Sequence, residues 1–211
     1  MTIKLIIFDF DGTIADTYQV VIKIVNSLSG EFGYQPLDDK TQKLLRNLSS
    51  KEIIKKSGIS LFKLPFLAKR VQLELGNYIQ DIDSFEGIAD VLRSLKQQNY
   101  HLGIVTSNVQ ENVEIFLKRQ NLSGVFDFVF ASTTIFGKHR IINRAVKNLQ
   151  LSKKNVVYVG DETRDIRSAR KSGVGIISVD WGFHSSQLLN QHYPDALATA
   201  PSDILDAIEV W

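Results

Sequence analysis

An apolar run that ends in two aspartates constrains this chain more than any other stretch. Residues 3–13 read Ile-Lys-Leu-Ile-Ile-Phe-Asp-Phe-Asp-Gly-Thr, so Asp9 and Asp11 stand two positions apart, with Gly12 and Thr13 directly behind them. Ile3 and Leu5 to Phe8 make a β-rich run with little alternation, the pattern of a strand buried on both faces. Such strands lie in the middle of parallel α/β sheets, and open α/β sheets carry their sites at the carboxyl ends of strands. Two acids at that end, with no base beside them in sequence, repel each other. One of them is pushed to a higher pKa unless a cation or a proton lies between them. A divalent metal would resolve the repulsion.

The 211 residues suit one domain, or one domain with a modest insertion. A chain of this length buries roughly 70% of its unfolded surface and needs no staple. It has no cysteine, which excludes disulfides, thiolate metal sites and thiol nucleophiles. No stretch approaches the roughly 18 apolar residues of a membrane helix, and the start of the chain does not read as a secretion signal. A cytoplasmic protein with no membrane partner is expected. A net charge of +2 is too small to argue for nucleic acid. The charge is uneven, however. Nine Lys or Arg (Lys40, Lys43, Arg46, Lys51, Lys55, Lys56, Lys63, Lys69 and Arg70) face four acids between Asp38 and Leu75. That surplus reads either as solvated helix faces or as a positive region that draws in anionic substrates.

Along the chain, residues 14–36 read as helix and loop, with Val20, Val21, Ile24, Val25 and Leu28 at helical spacing. Helical patterns follow over 41–48, 51–57 and 61–79. Asp38 or Asp39 would cap the first, and Ser49 and Ser50 with Glu52 the second. No strand pattern occurs in this block. From there the pattern alternates. Helices are expected over 86–98, 111–119, 141–149, 165–172, 185–190 and 202–210, the last with Pro201 at its start. Strands are expected over 101–105, 126–131, 155–160 and 174–179, with a short edge strand over 195–198. Strand–helix alternation implies right-handed crossovers. The expected fold is α/β: a Rossmann-like doubly wound parallel sheet with an inserted α-helical cap. The core would hold residues 1–15 and 82–211, and the cap residues 16–81.

Four strand ends then carry polar groups on one edge of the sheet: Asp9 with Asp11, Thr106 with Ser107, the segment at Lys138, and Asp161 with Asp165. Here the sequence resembles the haloacid dehalogenase-like phosphohydrolases. Asp9-Phe10-Asp11-Gly12-Thr13 is similar to their first motif, and Thr106 after Gly103-Ile-Val to their second. Lys138 matches the lysine of the third, and Gly160-Asp161-Glu162-Thr163-Arg164-Asp165 resembles the fourth. The stretch Val179 to Phe183 and the later Pro194-Asp195 resemble the tail of the phosphoglycolate-phosphatase-like branch.

That resemblance implies a Mg²⁺-dependent phosphatase acting on a small phosphorylated metabolite such as phosphoglycolate or a sugar phosphate. Asp9 would be the nucleophile and form an aspartyl-phosphate. Asp11 would protonate the leaving oxygen and later deprotonate water. Mg²⁺ would be held by Asp9, the backbone carbonyl of Asp11 and Asp161, with Asp165 orienting ligand waters or Lys138. Thr106, Ser107 and Asn108 would hold phosphoryl oxygens, and Lys138 would bridge Asp9 and phosphate. The chain has Gly137-Lys138-His139-Arg140 where relatives often carry Lys-Pro, so Arg140 competes with Lys138 for that role.

Plainer readings exist. Thr106 to Asn108 could simply cap the next helix, and Asp165 could be an acid favoured by a helix N-terminus. His101 is expected to be structural, His139 a surface residue, and His184 and His192 receive no role. Three rival functions share the pattern. A phosphomutase of the β-phosphoglucomutase type would use the same core. A dehalogenase would lack the second acid, so Asp11 argues against it. A non-catalytic phospho-ligand-binding protein would not need the full set of acids.

Overall fold

In a computed structural model, which describes residues 2–131 and 137–211, the strands are β1 (Leu5–Phe8), β2 (His101–Thr106), β3 (Phe128–Ala131), β4 (Val156–Gly160), β5 (Gly175–Val179) and β6 (Ala196–Ala198). They form one sheet in the order β3-β2-β1-β4-β5-β6, with every neighbouring pair parallel. The strand order reverses at β1 and β4. In open α/β sheets the crevice at that reversal is where ligands bind.

The apolar run that opens the sequence is indeed buried on both sides. Ile6 and Phe8 point into one cluster with Ile104, Val157 and Val159. Leu5 and Ile7 point into a second with Val105, Val156, Tyr158 and Ile176. All four residues of β1 are fully buried. Helices α5 (Ile88–Gln97), α6 (Gln110–Arg119) and α10 (Asp203–Glu209) cover the first face. Helices α7 (Lys138–Asn148), α8 (Thr163–Ser172) and α9 (Ser186–Asn190) cover the second. This is the expected doubly wound α/β architecture.

Between β1 and α5 the described elements are all helices: α1 (Tyr18–Phe32), α2 (Asp39–Leu45), α3 (Ser50–Ser57) and α4 (Leu64–Gly76). The chain leaves and returns through a clip at the base of this segment. Asp16 N–H donates to Asp83 C=O at 2.9 Å, Phe85 N–H donates to Ile14 C=O at 3.2 Å, and Ala15 bridges Ser84.

Element boundaries shift where local hydrogen bonds outweigh apolar periodicity. Helix α2 starts at Asp39 rather than at 41 because Asp38 accepts from Thr41 N–H at 2.8 Å. Ser49 and Glu52 form a reciprocal capping box that starts α3 one residue early. The pattern over 61–79 yields a helix only from Leu64 to Gly76, with Pro65 in its first turn. Helix α8 starts at Thr163, two residues early, because Glu162 and Asp165 cap each other. Pro201 lies ahead of α10 instead of opening it, and Asp203 turns back to accept from Thr199 and Ala200 N–H groups.

Tyr158 joins two strands inside the second cluster. Its hydroxyl donates to Val105 C=O at 2.9 Å and is fully buried. Tyr158→Phe should cost about 1 kcal/mol. Urea unfolding checks this: the midpoint falls at unchanged slope, whereas an unchanged midpoint would show that the bond contributes nothing.

Candidate active site

The carboxyl ends of β1, β2 and β4 meet over the strand reversal. Asp9 follows β1 at once, and its N–H donates to Val159 C=O at 2.8 Å, which keeps Asp9 in line with the sheet. Thr106 is the last residue of β2, and Asp161 follows the last residue of β4. Lys138 and Asp165 come from the first turns of α7 and α8. Five side chains distant in sequence thus converge, and all are at most 3% exposed.

Lys138 joins two of the acids. Its Nζ donates to Asp9 Oδ2 and, at 2.8 Å, to Asp165 Oδ1. Burial works against the lysine's charge, but Asp165 and Asp9 outweigh it and hold its pKa above the usual value. Burial pushes Asp9 up to about 7, with Lys138 pulling it down. Arg140, two residues on in the same turn, is exposed, so Lys138 is the cation that faces Asp9.

Asp11 is held by a neighbour. Asn108 Nδ2 donates to both of its carboxylate oxygens, at 3.0 and 3.1 Å. Desolvation raises Asp11 to about 6 and the Asn108 bond opposes the rise. Asn108 itself is fixed: its Oδ1 accepts from Val109 N–H at 2.8 Å and from Asn112 Nδ2 at 2.9 Å. Its side chain is thus committed to Asp11 and to the start of α6. The capping reading of Thr106 to Asn108 does not hold, because Val109 is the N-cap of α6. Thr106 Oγ1 accepts from Asn108 N–H at 2.9 Å. Ser107 C=O accepts from Gln72 Nε2 of α4, so the helical segment touches this loop directly.

Asp161 is enclosed on two sides. Its Oδ1 accepts from Thr13 Oγ1 at 3.2 Å and its Oδ2 from Phe183 N–H at 2.7 Å. Burial, and then the charges of Glu162, Asp165 and Asp9, hold it well above the usual carboxylate range. Gly12 makes the approach possible. It has φ +74°, and a Cβ there would lie 2.4 Å from Asp161 Oδ2. Asp165 combines both of its expected contexts, since its Oδ2 accepts from Glu162 N–H at 3.0 Å in the capping box while Oδ1 meets Lys138.

One carboxylate oxygen from each of Asp9, Asp161 and Asp165 lies within 4.8 Å of the others. Asp11 stands outside this set by its side chain. Three buried carboxylates gathered this closely are a donor set suited to a hard divalent cation, which would supply the missing positive charge. The acids of this donor set can hold a metal.

Three groups at the site carry roles that motif reading did not assign. Arg164 Nη2 meets Glu162 Oε1 at 2.7 Å. Burial works against the guanidinium charge, and the carboxylates of Glu162 and Asp165 above all hold it protonated. His184 is 3% exposed and its Nδ1 accepts from Thr163 N–H at 3.0 Å, with burial lowering its pKa. The dense charge of Asp-Glu-Thr-Arg-Asp was the available signal for Arg164. Nothing near His184 in sequence announces its partner 21 residues away. His101 pairs with Asp127 on the exposed rim, as a structural residue would. The lysines of the helical segment are exposed, so the solvated-face reading describes them.

The sequence from residue 6 to 179 matches the family of haloacid dehalogenase-like hydrolases. The chain is 40% identical over 203 residues to a phosphoglycolate phosphatase of Synechococcus elongatus, covering 96% of both chains. It is 26% identical over 212 residues to pyrophosphatase PpaX of Bacillus thuringiensis, covering 97% of this chain and 96% of that one. Its fold is similar to that of a haloacid dehalogenase-like family hydrolase from Streptococcus pneumoniae, with a TM-score of 0.78 at 23% identity, over 97% of this chain and 98% of that chain. The chain belongs to the haloacid dehalogenase-like hydrolase family, and it is an enzyme of the phosphatase kind.

Removing the lysine exposes the electrostatics. In Lys138→Met, Asp9 and Asp165 lose their shared cation, and breaking a buried pair costs about 3–5 kcal/mol. The folded-state pKa of Asp9 then rises further above the unfolded one, because Lys138 no longer lowers it. A raised carboxyl pKa favours the folded state at low pH and loses that contribution as pH climbs through the folded value. Relative to wild type, Lys138→Met should therefore be more destabilised at pH 8 than at pH 5. Urea unfolding with chelator at both values checks it, and an equal loss at both would contradict it.

Proposed function

We propose that this protein is a Mg²⁺-dependent phosphatase that hydrolyses a small phosphorylated metabolite through a phosphoaspartate on Asp9. Phosphoglycolate is the leading substrate class, by similarity to the 40% identical relative. The observation that carries the reading is the arrangement around β1: Asp9 set against Lys138 and two further acids, with Asp11 held separately by Asn108.

Asp9 attacks phosphorus through a carboxylate oxygen, and the bond from phosphorus to the leaving oxygen breaks. Asp11, raised to about 6 by burial, gives that oxygen its proton. Asn108 fixes the direction of the transfer, because it holds both carboxylate oxygens. Water then attacks the phosphorus of the phosphoaspartate, Asp11 takes a proton from that water, and the bond from phosphorus to the Asp9 oxygen breaks, which releases phosphate and restores Asp9. The Thr106 hydroxyl and the Ser107 N–H hold phosphoryl oxygens, and Lys138 keeps Asp9 and phosphate together. Asp9, Asp161 and the Asp11 carbonyl would hold Mg²⁺, with Asp165 beside them, and the ion would offset charge on the transferring group.

Residues 1–15 and 82–211 act as the core, and residues 16–81 as a cap that limits access. A cavity of about 190 Å³ between the two supports this division, lined among others by Tyr18, Arg46, Ser50, Glu162 and Phe183. It suits a small substrate. No helix among the described residues is long and apolar enough to cross a membrane, which accords with action on a dissolved metabolite in the cytoplasm.

Phosphate release from a panel of phosphorylated metabolites tests the reading, run with Mg²⁺ and with chelator. Release should need Mg²⁺ and concentrate on one or two compounds. Asp9→Asn should abolish it, and Asp11→Asn should slow it by about 10²–10⁴-fold, the usual share of general acid–base catalysis. Turnover retained in Asp9→Asn, or silence across the panel from folded wild-type protein, would overturn it.

A further inference from the structure

The loop after β5, residues 180–185, holds together both acid-bearing loops and the helical segment. On the core side, Trp181 Nε1 donates to Thr13 C=O at 3.2 Å. Phe183 N–H donates to Asp161 Oδ2 at 2.7 Å, and His184 Nδ1 accepts from Thr163 N–H. Gly182 is wedged between the two acid-bearing loops: a Cβ there would lie 2.3 Å from both Asp161 Oδ2 and Gly12 O.

On the other side Arg46, just past the end of α2, takes hold of the same loop. Its Nη2 donates to Asp180 C=O at 3.1 Å and to Gly182 C=O at 3.0 Å. Ser185 returns the contact, with its N–H donating to Arg46 C=O at 2.9 Å and its Oγ to Asn47 Oδ1 at 2.6 Å. The Arg46 guanidinium also lies 5.7 Å from the centre of the Tyr18 ring, and that ring meets Phe183 edge-on at 5.4 Å. Arg46 thus differs from the exposed lysines around it. Its Nη2 is committed to backbone carbonyls on either side of Trp181, next to the amide that binds Asp161.

We propose that Arg46 is a positioning residue for the metal-binding acids, acting through loop 180–185 on Asp161. By holding the carbonyls of Asp180 and Gly182, Arg46 keeps the Phe183 N–H aimed at Asp161 Oδ2. That bond orients the carboxylate, one oxygen of which lies within 4.8 Å of carboxylate oxygens of Asp9 and Asp165. Outer groups that orient a ligand typically matter about 10–100-fold in metal affinity. The seating of the helical segment and the affinity of the acids for a cation are therefore coupled, and by linkage the coupling runs both ways. This inference rests on the cation of the proposed function. It goes beyond that reading in giving a residue of the helical segment a part in metal binding without contact to the metal.

Calorimetric titration of the whole protein with Mg²⁺ alone, without substrate, tests it directly. Arg46→Met keeps the apolar stem over Tyr18 and removes the donor. It should bind Mg²⁺ about tenfold more weakly than wild type, and the Phe183 amide should exchange its hydrogen faster. Arg46→Lys returns one cationic nitrogen able to meet both carbonyls, and should recover most of the affinity. Equal Mg²⁺ affinity in wild type and Arg46→Met overturns the inference alone. A raised KM with unchanged Mg²⁺ affinity does the same, since it would make Arg46 a substrate contact. Loss of cooperative unfolding in Arg46→Met would make it a structural strut and overturn it too. A wild type that takes up no Mg²⁺ overturns both this inference and the cation of the proposed function. A wild type that binds Mg²⁺ but hydrolyses no phosphoester, with the Arg46→Met shift intact, overturns only the phosphatase reading.

Discussion

Buried negative charge at the carboxyl edge of the sheet governs this protein. Asp9, Asp161 and Asp165 are each at most 2% exposed and lie within ligand distance of one another. Among the described residues, the cations beside them are Lys138 and Arg164, and Arg164 is already paired with Glu162. Desolvation of a charged group is expensive, so such a cluster persists only with hydrogen bonds and opposite charge around it. The surrounding architecture supplies them. Lys138 spans two acids, Phe183 N–H and Thr13 Oγ1 hold the third, and the capping box of α8 takes the free oxygen of Asp165. What remains uncompensated is a demand for positive charge, which a divalent cation would meet.

The same arrangement gives the two acids of the first motif different surroundings. Asp9 faces Lys138, while Asp11 faces Asn108, which is pinned from α6. One carboxylate is thus set among charges and the other among neutral donors. Environments that differ in this way push neighbouring acids toward different chemical tasks. The division depends on backbone more than on side chains. At Gly12 and Gly182 the chains approach so closely that a methyl group would collide with Asp161.

Much of this was legible in the sequence because it is local. The unbroken apolar run of β1 implied burial on both faces, and the two clusters sharing its alternate residues bear that out. Strand–helix alternation implied a parallel sheet with one polar edge, and the acids and Thr106 do lie at that edge. Lys138 could be named but not separated from Arg140 until helix α7 was seen to start at Lys138, which turns one inward and the other out. What stayed hidden was long-range. Asn108 reads from sequence as a phosphoryl contact or a helix cap, because its partner Asp11 is 97 residues away. Arg46 reads as one more basic residue in a basic stretch because the carbonyls it holds are more than 130 residues off, and backbone acceptors leave no trace in side-chain chemistry. The true starts of α2, α3 and α8 escaped the apolar period because polar caps decided them.

The central claim is that Asp9 carries the phosphoryl group covalently. Rapid acid quenching of Asp11→Asn with substrate labelled in its phosphate tests this most directly, since that variant should form the phosphoaspartate and hydrolyse it slowly. The account predicts one labelled, hydroxylamine-sensitive peptide containing Asp9, and none when Asp9→Asn is added. Steady phosphate release with no label on the protein at any time, or label on a peptide lacking Asp9, would contradict it.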